Sequence, residues 1–188
     1  MTVVDVATLQ RVGAITMRSP PLRYTVGPDG ALYVAQPHTV GWAVHVLDPD
    51  GAALRRPLLL PDLVDVYALG VGDRGRRLFV NGSDGNWYQT VRIIDLGDAT
   101  AAIDVVVPMP WFLGTGMQVS PTEALAYVAN GRSPGLSDGG TWAVRPDRAP
   151  SPRGIADQGG DAVFAPGGRL AYLVQSNIPG GGRPTLLL

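Results

Sequence analysis

The 188-residue chain contains no cysteine and no lysine, a single glutamate (Glu123) and two histidines (His38 and His45). Each absence removes a chemistry. Without Cys there is no thiol nucleophile, disulfide or thiolate-held zinc, and without Lys there is neither a Schiff base nor a phosphate-loop lysine. Any catalyst built from this sequence works with Asp, Arg, Tyr, two imidazoles and the backbone. An excess of charge of one sign is also lacking. Fifteen basic residues, all Arg, face 16 acidic ones for a formal net charge of -1, which gives no field to draw nucleic acid or an anionic membrane. No run of about 18 apolar residues is present, so no helix is expected to span a membrane. The first eleven residues carry Asp5 and lack the basic start and apolar stretch of a signal peptide. The sequence therefore assigns no compartment.

What is abundant is turn chemistry. Gly (25) and Pro (17) fall between apolar runs rich in Val, Ile, Leu and aromatics, a pattern of short strands punctuated by turns rather than of disorder. The segment around Asn177 to Pro184 is the exception. No stretch offers a helical apolar face. Val105 to Val107 and Leu58 to Leu60 are each bounded by Pro within three residues and are too short to form one.

The runs also repeat. Val26-Gly-Pro-Asp-Gly-Ala-Leu-Tyr33-Val, Val71-Gly-Asp-Arg-Gly-Arg-Arg-Leu-Phe79-Val, Val119-Ser-Pro-Thr-Glu-Ala-Leu-Ala-Tyr127-Val and Phe164-Ala-Pro-Gly-Gly-Arg-Leu-Ala-Tyr172-Leu read alike, with the aromatic recurring after 46, 48 and 45 residues. A second mark follows: Val46-Leu47-Asp48 and Ile93-Ile94-Asp95, with an earlier copy at Val3-Val4-Asp5. In the third repeat Trp142-Ala-Val144-Arg145 stands instead, with Asp147 displaced. Each unit reads as four antiparallel strands. For the second these are Val64 to Gly72, Arg77 to Asn81, Thr90 to Asp95 and Ala102 to Val107. Gly30, Gly75 and Gly168 are expected at positive φ between the first two strands. Asp48 and Asp95 are expected to accept backbone N–H groups of the turn that follows the third strand.

Four-stranded units repeated every 40 to 50 residues are the signature of a β-propeller, in which each blade covers its neighbour's apolar face. The fold expected is all-β, a propeller of about four four-stranded antiparallel blades over residues 1–188, with partial blades at 1–22 and 164–188. Because both ends fall inside blades and their third strands overlap, an incomplete ring is expected: a fragment or truncated reading frame, with self-association completing a ring as the alternative.

The motifs Gly27-Pro28-Asp29-Gly30 with Leu32-Tyr33-Val34, and Leu125-Ala126-Tyr127-Val128-Ala129-Asn130, resemble the YVTN-type propeller repeat. That repeat is shared in looser form with lactonase-like and WD40-like propellers. The resemblance covers nearly the whole chain and bears on architecture, since such residues build turns and core in proteins of many functions. The departures are Asp73-Arg74-Gly75 in place of Pro-Asp-Gly, and Thr122-Glu123, which removes a turn glycine. No motif matches a catalytic residue of the lactonase-like members.

In a propeller the second-to-third-strand loops share one face with the connections between blades. Those loops are read as Gln36 to Trp42, Asn81 to Gln89, Asn130 to Thr141 and Gln175 to Pro184. Candidate ligand-binding residues on that face are His38, Trp42, Asp84, Asn86, Trp87, Tyr88, Trp111, Arg132 and Asp138, joined by Asn177. Converging aromatic and polar groups suit a small polar ligand or an extended peptide. The alternative is that Trp42, Trp87 and Trp142 cap blade interfaces. His38 and His45 have no third donor at ligand spacing, so no metal is expected; His45, between Val44 and Val46, is read as facing out of a strand. Asp84-Gly85-Asn86 and Asp138-Gly139-Gly140 look like calcium-loop fragments but lack the spacing and closing Glu of an EF-hand. Gly180-Gly181-Gly182 opens no helix and is no phosphate cradle.

The expectation is a non-catalytic binding module with no cofactor and an unidentified protein or small polar ligand as partner. The alternatives are a lactonase-like enzyme in which His38 and an Asp act on a sugar lactone or ester, and a purely structural repeat. An enzyme requires His38 and at least one Asp or Arg within hydrogen-bond reach of a shared cavity.

Overall fold

The computed structural model describes residues 2–4, 7–15, 23–86, 88–98, 103–109, 116–129, 141–151, 160–165, 167–168, 171–175 and 186–187. These residues form an all-β structure whose one helical element is a single 3-10 turn at Asp73–Gly75. Five antiparallel sheets follow one another along the chain. They are β1 (Thr2–Val4) with β2 (Arg11–Ala14); β3 (Arg23–Val26), β4 (Leu32–His38), β5 (Gly41–Leu47) and β6 (Leu58–Leu60); β7 (Asp65–Gly72), β8 (Arg77–Ser83), β9 (Gln89–Asp95) and β10 (Ile103–Met109); β11 (Met117–Val119), β12 (Ala126–Ala129), β13 (Thr141–Arg145) and β14 (Arg148–Ser151); and β15 (Gly160–Phe164), β16 (Ala171–Gln175) and β17 (Leu186–Leu187). Within each sheet, neighbours in sequence are neighbours in space. The strands expected in the second repeat match β7 to β10 to within two residues. Leu58 to Leu60 is a strand, not a helical piece.

The first strands of successive sheets pack together: β3 against β7, β7 against β11, and β11 against β15. This stacking explains the continuous apolar runs. In an antiparallel sheet with one wet face, residues alternate apolar and polar. In β8 and β9, Leu78, Phe79 and Val80, then Val91, Ile93 and Ile94, are all buried. Leu78, Val80 and Ile94 join Tyr33, Trp42, Val44, Leu60, Leu63 and Val66 in the core shared with the β3–β6 sheet. Phe79, Val91 and Ile93 turn the other way and meet Met117, Val128, Trp142 and Val144 of the β11–β14 sheet. Leu32, Val34 and Leu47, on the far face of the β3–β6 sheet, are covered by Ile15.

The repeated aromatic is the wedge between sheets. Tyr33 packs toward the β7–β10 sheet, Phe79 toward the β11–β14 sheet, and Tyr127 stacks on Phe164 of β15 with ring centroids 5.3 Å apart. Burial of Tyr33, reinforced by the nearby Asp29 charge, pushes its hydroxyl up to about 12. Backbones close the remaining gap where side chains vanish. A Cβ at Gly72 would lie 2.5 Å from the Ser120 carbonyl oxygen, so only glycine lets β7 approach this close.

The turns behave as their residues dictate. Gly30, Gly75 and Gly168 have φ of +80°, +90° and +68°. Asp48 Oδ1 accepts from Ala52 N at 2.7 Å, and Asp95 Oδ1 accepts from Gly97 N at 2.8 Å. That backbone bond is the main cause holding the Asp95 carboxyl below its ordinary range, and Arg76 and Arg77 pair with its other oxygen at 3.2 and 3.4 Å. The two departures from the repeat meet each other. Asp73 and Arg74, at φ of +50° and +56°, donate their backbone N–H groups to Glu123 O (3.1 Å) and Pro121 O (2.8 Å). In place of the missing turn glycine, the Ser120 hydroxyl accepts from Glu123 N at 3.2 Å and donates to Gly168 O at 3.3 Å.

Phe79 is fully buried in the core between two sheets. Phe79→Ala is expected to lower unfolding free energy by about 3–5 kcal/mol, read from urea denaturation. A loss below about 1 kcal/mol, the level of a surface substitution, would show that the two sheets do not depend on this wedge.

Candidate functional site

Three chain connections converge at one end of the two best-packed sheets. β4 runs through His38 and β5 starts at Gly41, so Gln36 to Trp42 is not the long loop expected but a hairpin with a two-residue turn, Thr39-Val40. The physical reason is Gly41 at φ +100°, which lets the chain reverse at once. The β6–β7 connection lies against this turn: a Cβ at Gly41 would come within 2.5 Å of Leu60 O and 2.8 Å of Pro61 O. It is closed by a bond from Leu63 N to Leu60 O at 3.3 Å, with Leu60 and Leu63 fully buried and Pro61 and Asp62 exposed. Val64 N then donates to Ser83 O at 2.9 Å, and Gly85 sits over the Val64 side chain. This ties in the β8–β9 loop, where Asp84 N donates to Tyr88 O (3.3 Å) and Asn86 N to Asp84 Oδ1 (3.1 Å). The Asn86 N bond to Asp84 Oδ1 is the turn geometry that Asp favours. Among the described residues no three His, Asp or Glu side chains gather as metal donors.

The surface of this end is mixed. Val40, Val64 and Tyr88 are 50%, 62% and 43% exposed, beside exposed His38, Asp62, Asp65 and Asn86. Beneath it lies a buried polar set: Asn81, Ser83, Gln89, Thr90 and Arg92. Gln89 Nε2 donates to Asn81 Oδ1 at 2.8 Å, and Arg92 Nη2 pairs with Asp62 Oδ2. Arg23, at the start of β3, donates from Nε to Tyr67 O at 2.6 Å.

Of the residues singled out in the sequence, His38, Asp84, Asn86 and Tyr88 lie at this end. Trp42 does not reach the surface; at 5% exposure it is part of the core between the β3–β6 and β7–β10 sheets, and Trp142 is buried in the next core. Trp87, Trp111, Arg132, Asp138 and Asn177 lie outside the described residues. Arg92 and its partner Asp62 were not singled out as binding residues. The available signal was a charge in the middle of Thr90-Val-Arg-Ile-Ile-Asp95, a strand whose neighbours are apolar on both faces.

His38 Nδ1 meets only its own turn, Thr39 Oγ1 and Val40 N, each at 3.5 Å. No carboxylate among the described residues hydrogen-bonds to it. His45 is half-buried on β5, and burial lowers its pKa from the ordinary 6.5, with repulsion from His38 adding to the shift.

No family model matches the chain, and no curated protein sequence matches it. Solved structures do resemble it. A "putative 6-phosphogluconolactonase" from Bacteroides uniformis superposes with a TM-score of 0.56 at 14% identity, covering 98% of this chain and 62% of that one. A eukaryotic initiation factor superposes with a TM-score of 0.54 at 14% identity, covering 70% of this chain and 31% of that one. The chain thus spans under two thirds of the length of either, and the likeness is one of sheet-rich fold.

Two outcomes are expected here. Gly41→Ala, which places a Cβ against two carbonyl oxygens at positive φ, should cost more than the about 1 kcal/mol of an ordinary backbone substitution, read from urea midpoints; an unchanged midpoint would mean the hairpin and the β6–β7 turn are not locked together. For His45, the fold favours the neutral ring. A depressed folded pKa gives stability that is present above about pH 6.5 and lost as pH falls through the lowered value. Wild-type urea midpoints should therefore fall between pH 7 and pH 5, with a shallower slope in His45→Gln; equal slopes would remove His45 as the cause.

Proposed function

We propose that the chain is a non-catalytic, YVTN-like propeller module, its meander sheets serving as blades. Its role is to bind a protein or small polar ligand across the end where the 38–41, 61–64 and 84–88 connections meet. The observation that carries this reading is the joining of exposed apolar side chains (Val40, Val64, Tyr88) to polar ones on rigidly hydrogen-bonded turns. Recognition surfaces combine these features: loops carry the contacts and a rigid scaffold holds them. The stacking of first strand on first strand and the sheet-rich solved relatives support the propeller architecture.

The second reading, a lactonase-like hydrolase, is favoured by the likeness to the Bacteroides uniformis protein, which covers nearly all of this chain. It requires an activated base or nucleophile. Among the described residues His38 has its own turn as partner, without the carboxylate that would orient the ring.

Both readings are tested on the purified chain. Hydrolysis of glucono-δ-lactone and p-nitrophenyl acetate is expected to proceed at the buffer rate with both wild type and His38→Ala; a rate that exceeds buffer and disappears in His38→Ala overturns the non-catalytic reading. Peptides selected by display on the immobilised chain are expected to lose at least about tenfold in affinity, some 1.4 kcal/mol, on Tyr88→Ala or Val64→Asp. Selected peptides indifferent to both substitutions would place recognition elsewhere.

A further inference from the structure

Arg92 is the one charged side chain among the described residues that is buried, at 3% exposure. A guanidinium has five N–H donors and no acceptor. Nη2 is held by Asp62, while Nε and Nη1 meet no acceptor among the described residues. Thr90 Oγ1, two positions earlier on the same face of β9, is equally buried and equally without a partner. Arg92 stands opposite Val80, whose side chain lies in the core between the β3–β6 and β7–β10 sheets, so Arg92 and Thr90 lie on the face of β9 turned toward the β3–β6 sheet. Donors buried without acceptors carry their full desolvation penalty, and more so when charged.

The partner that Arg92 does have is a poor anchor. Asp62 is half exposed, at 49%, and sits at the tip of the turn closed from Leu63 N to Leu60 O. Leu60 and Leu63 are the buried anchors of that turn, so its backbone is held independently of the Asp62 side chain. It also satisfies one nitrogen where a planar carboxylate on a guanidinium fork commonly satisfies two. The neighbouring Asp65 and Asp84 each accept an N–H from their own turn, from Val66 and Asn86.

We propose that Arg92 is a binding point for a carboxylate carried by the ligand, that Asp62 occupies it in the free chain, and that the ligand's carboxylate exchanges with Asp62. This rests on the binding end proposed above and names the chemical class it takes. The two oxygens of the incoming group answer donors that Asp62 leaves unmet. Val40, Val64 and Tyr88, exposed at the same end, are placed to receive an apolar group attached to the carboxylate, as at the end of a peptide.

Sodium acetate, N-acetyl-leucine and acetamide, each at constant ionic strength and pH 7, are the probes. In the wild-type chain, acetate should move the Arg92 Nε–H resonance saturably, whereas acetamide should not. Asp62→Ala is expected to melt about 10 °C lower, the effect of leaving a buried charge without its partner in a chain of this size, and to recover saturably with acetate. Asp62→Asn, which keeps the side chain's size, should bind acetate at least tenfold more tightly than wild type because the competing carboxylate is gone. N-acetyl-leucine binding tenfold tighter than acetate would identify a peptide chain end as the source; equal binding would identify a small free carboxylate. An unmoved Arg92 resonance in wild type overturns the exchange, even if Asp62→Ala responds. A response that survives in Asp62→Ala/Arg92→Met overturns the site. Display-selected peptides that still depend on Tyr88 in either case would show that the binding end stands without this inference.

Discussion

The structure depends on sheets that are apolar on both faces. β8 and β9 cannot be solvated on either side, because Leu78, Val80 and Ile94 face one way and Phe79, Val91 and Ile93 the other. A four-stranded sheet of this kind is stable only between two neighbours, each of which inherits the same requirement. The recurring aromatic on the second strand of each unit is the contact that transmits it. Tyr33, Phe79 and Tyr127 each reach forward to the next sheet, so the sequence period and the stacking direction are one fact seen twice.

Backbone and hydroxyl links between successive units gather at one end of the sheets. At the end carrying the turns between first and second strands, backbone and hydroxyl bonds link successive units. The 73–75 turn donates to residues 121 and 123, and Ser120 and Thr122 donate to the 167–168 turn. Non-glycine residues are held in the left-handed region there because the neighbouring sheet supplies acceptors for their N–H groups. At the opposite end, Asn81, Gln89, Thr90 and Arg92 are buried beneath exposed turns, with Gln89 bonded to Asn81 within one sheet and Arg92 paired with Asp62 of the β6–β7 connection.

The contrast explains what could be read from the chain. Strand positions and turn glycines follow from local chemistry: alternation, apolar runs and a residue free of Cβ at Gly30, Gly75 and Gly168 all act within a few residues. The loops were less legible because their length depends on one backbone angle. Gly41 at φ +100° collapses the stretch from Gln36 to Trp42 into a hairpin, carrying Trp42 into the core and leaving His38 at its edge. His38 and Tyr88 were legible as polar and aromatic residues next to turns. The Arg92–Asp62 pair was not, since it joins residues thirty positions apart across a sheet interface that no local pattern encodes.

A buried guanidinium at such an interface works against stability as much as for it. Desolvation of the pair offsets most of its attraction, and apolar residues of similar volume commonly do as well or better. The surrounding sheets have no shortage of apolar alternatives: Val80 lies directly opposite Arg92 across β8, and Val91 and Ile93 flank it along β9. Arg92 thus places a charge where its immediate neighbours on β9 and its partner on β8 are apolar. Such local inconsistency is what binding demands of a scaffold, because a fully satisfied core has no donors left for a ligand.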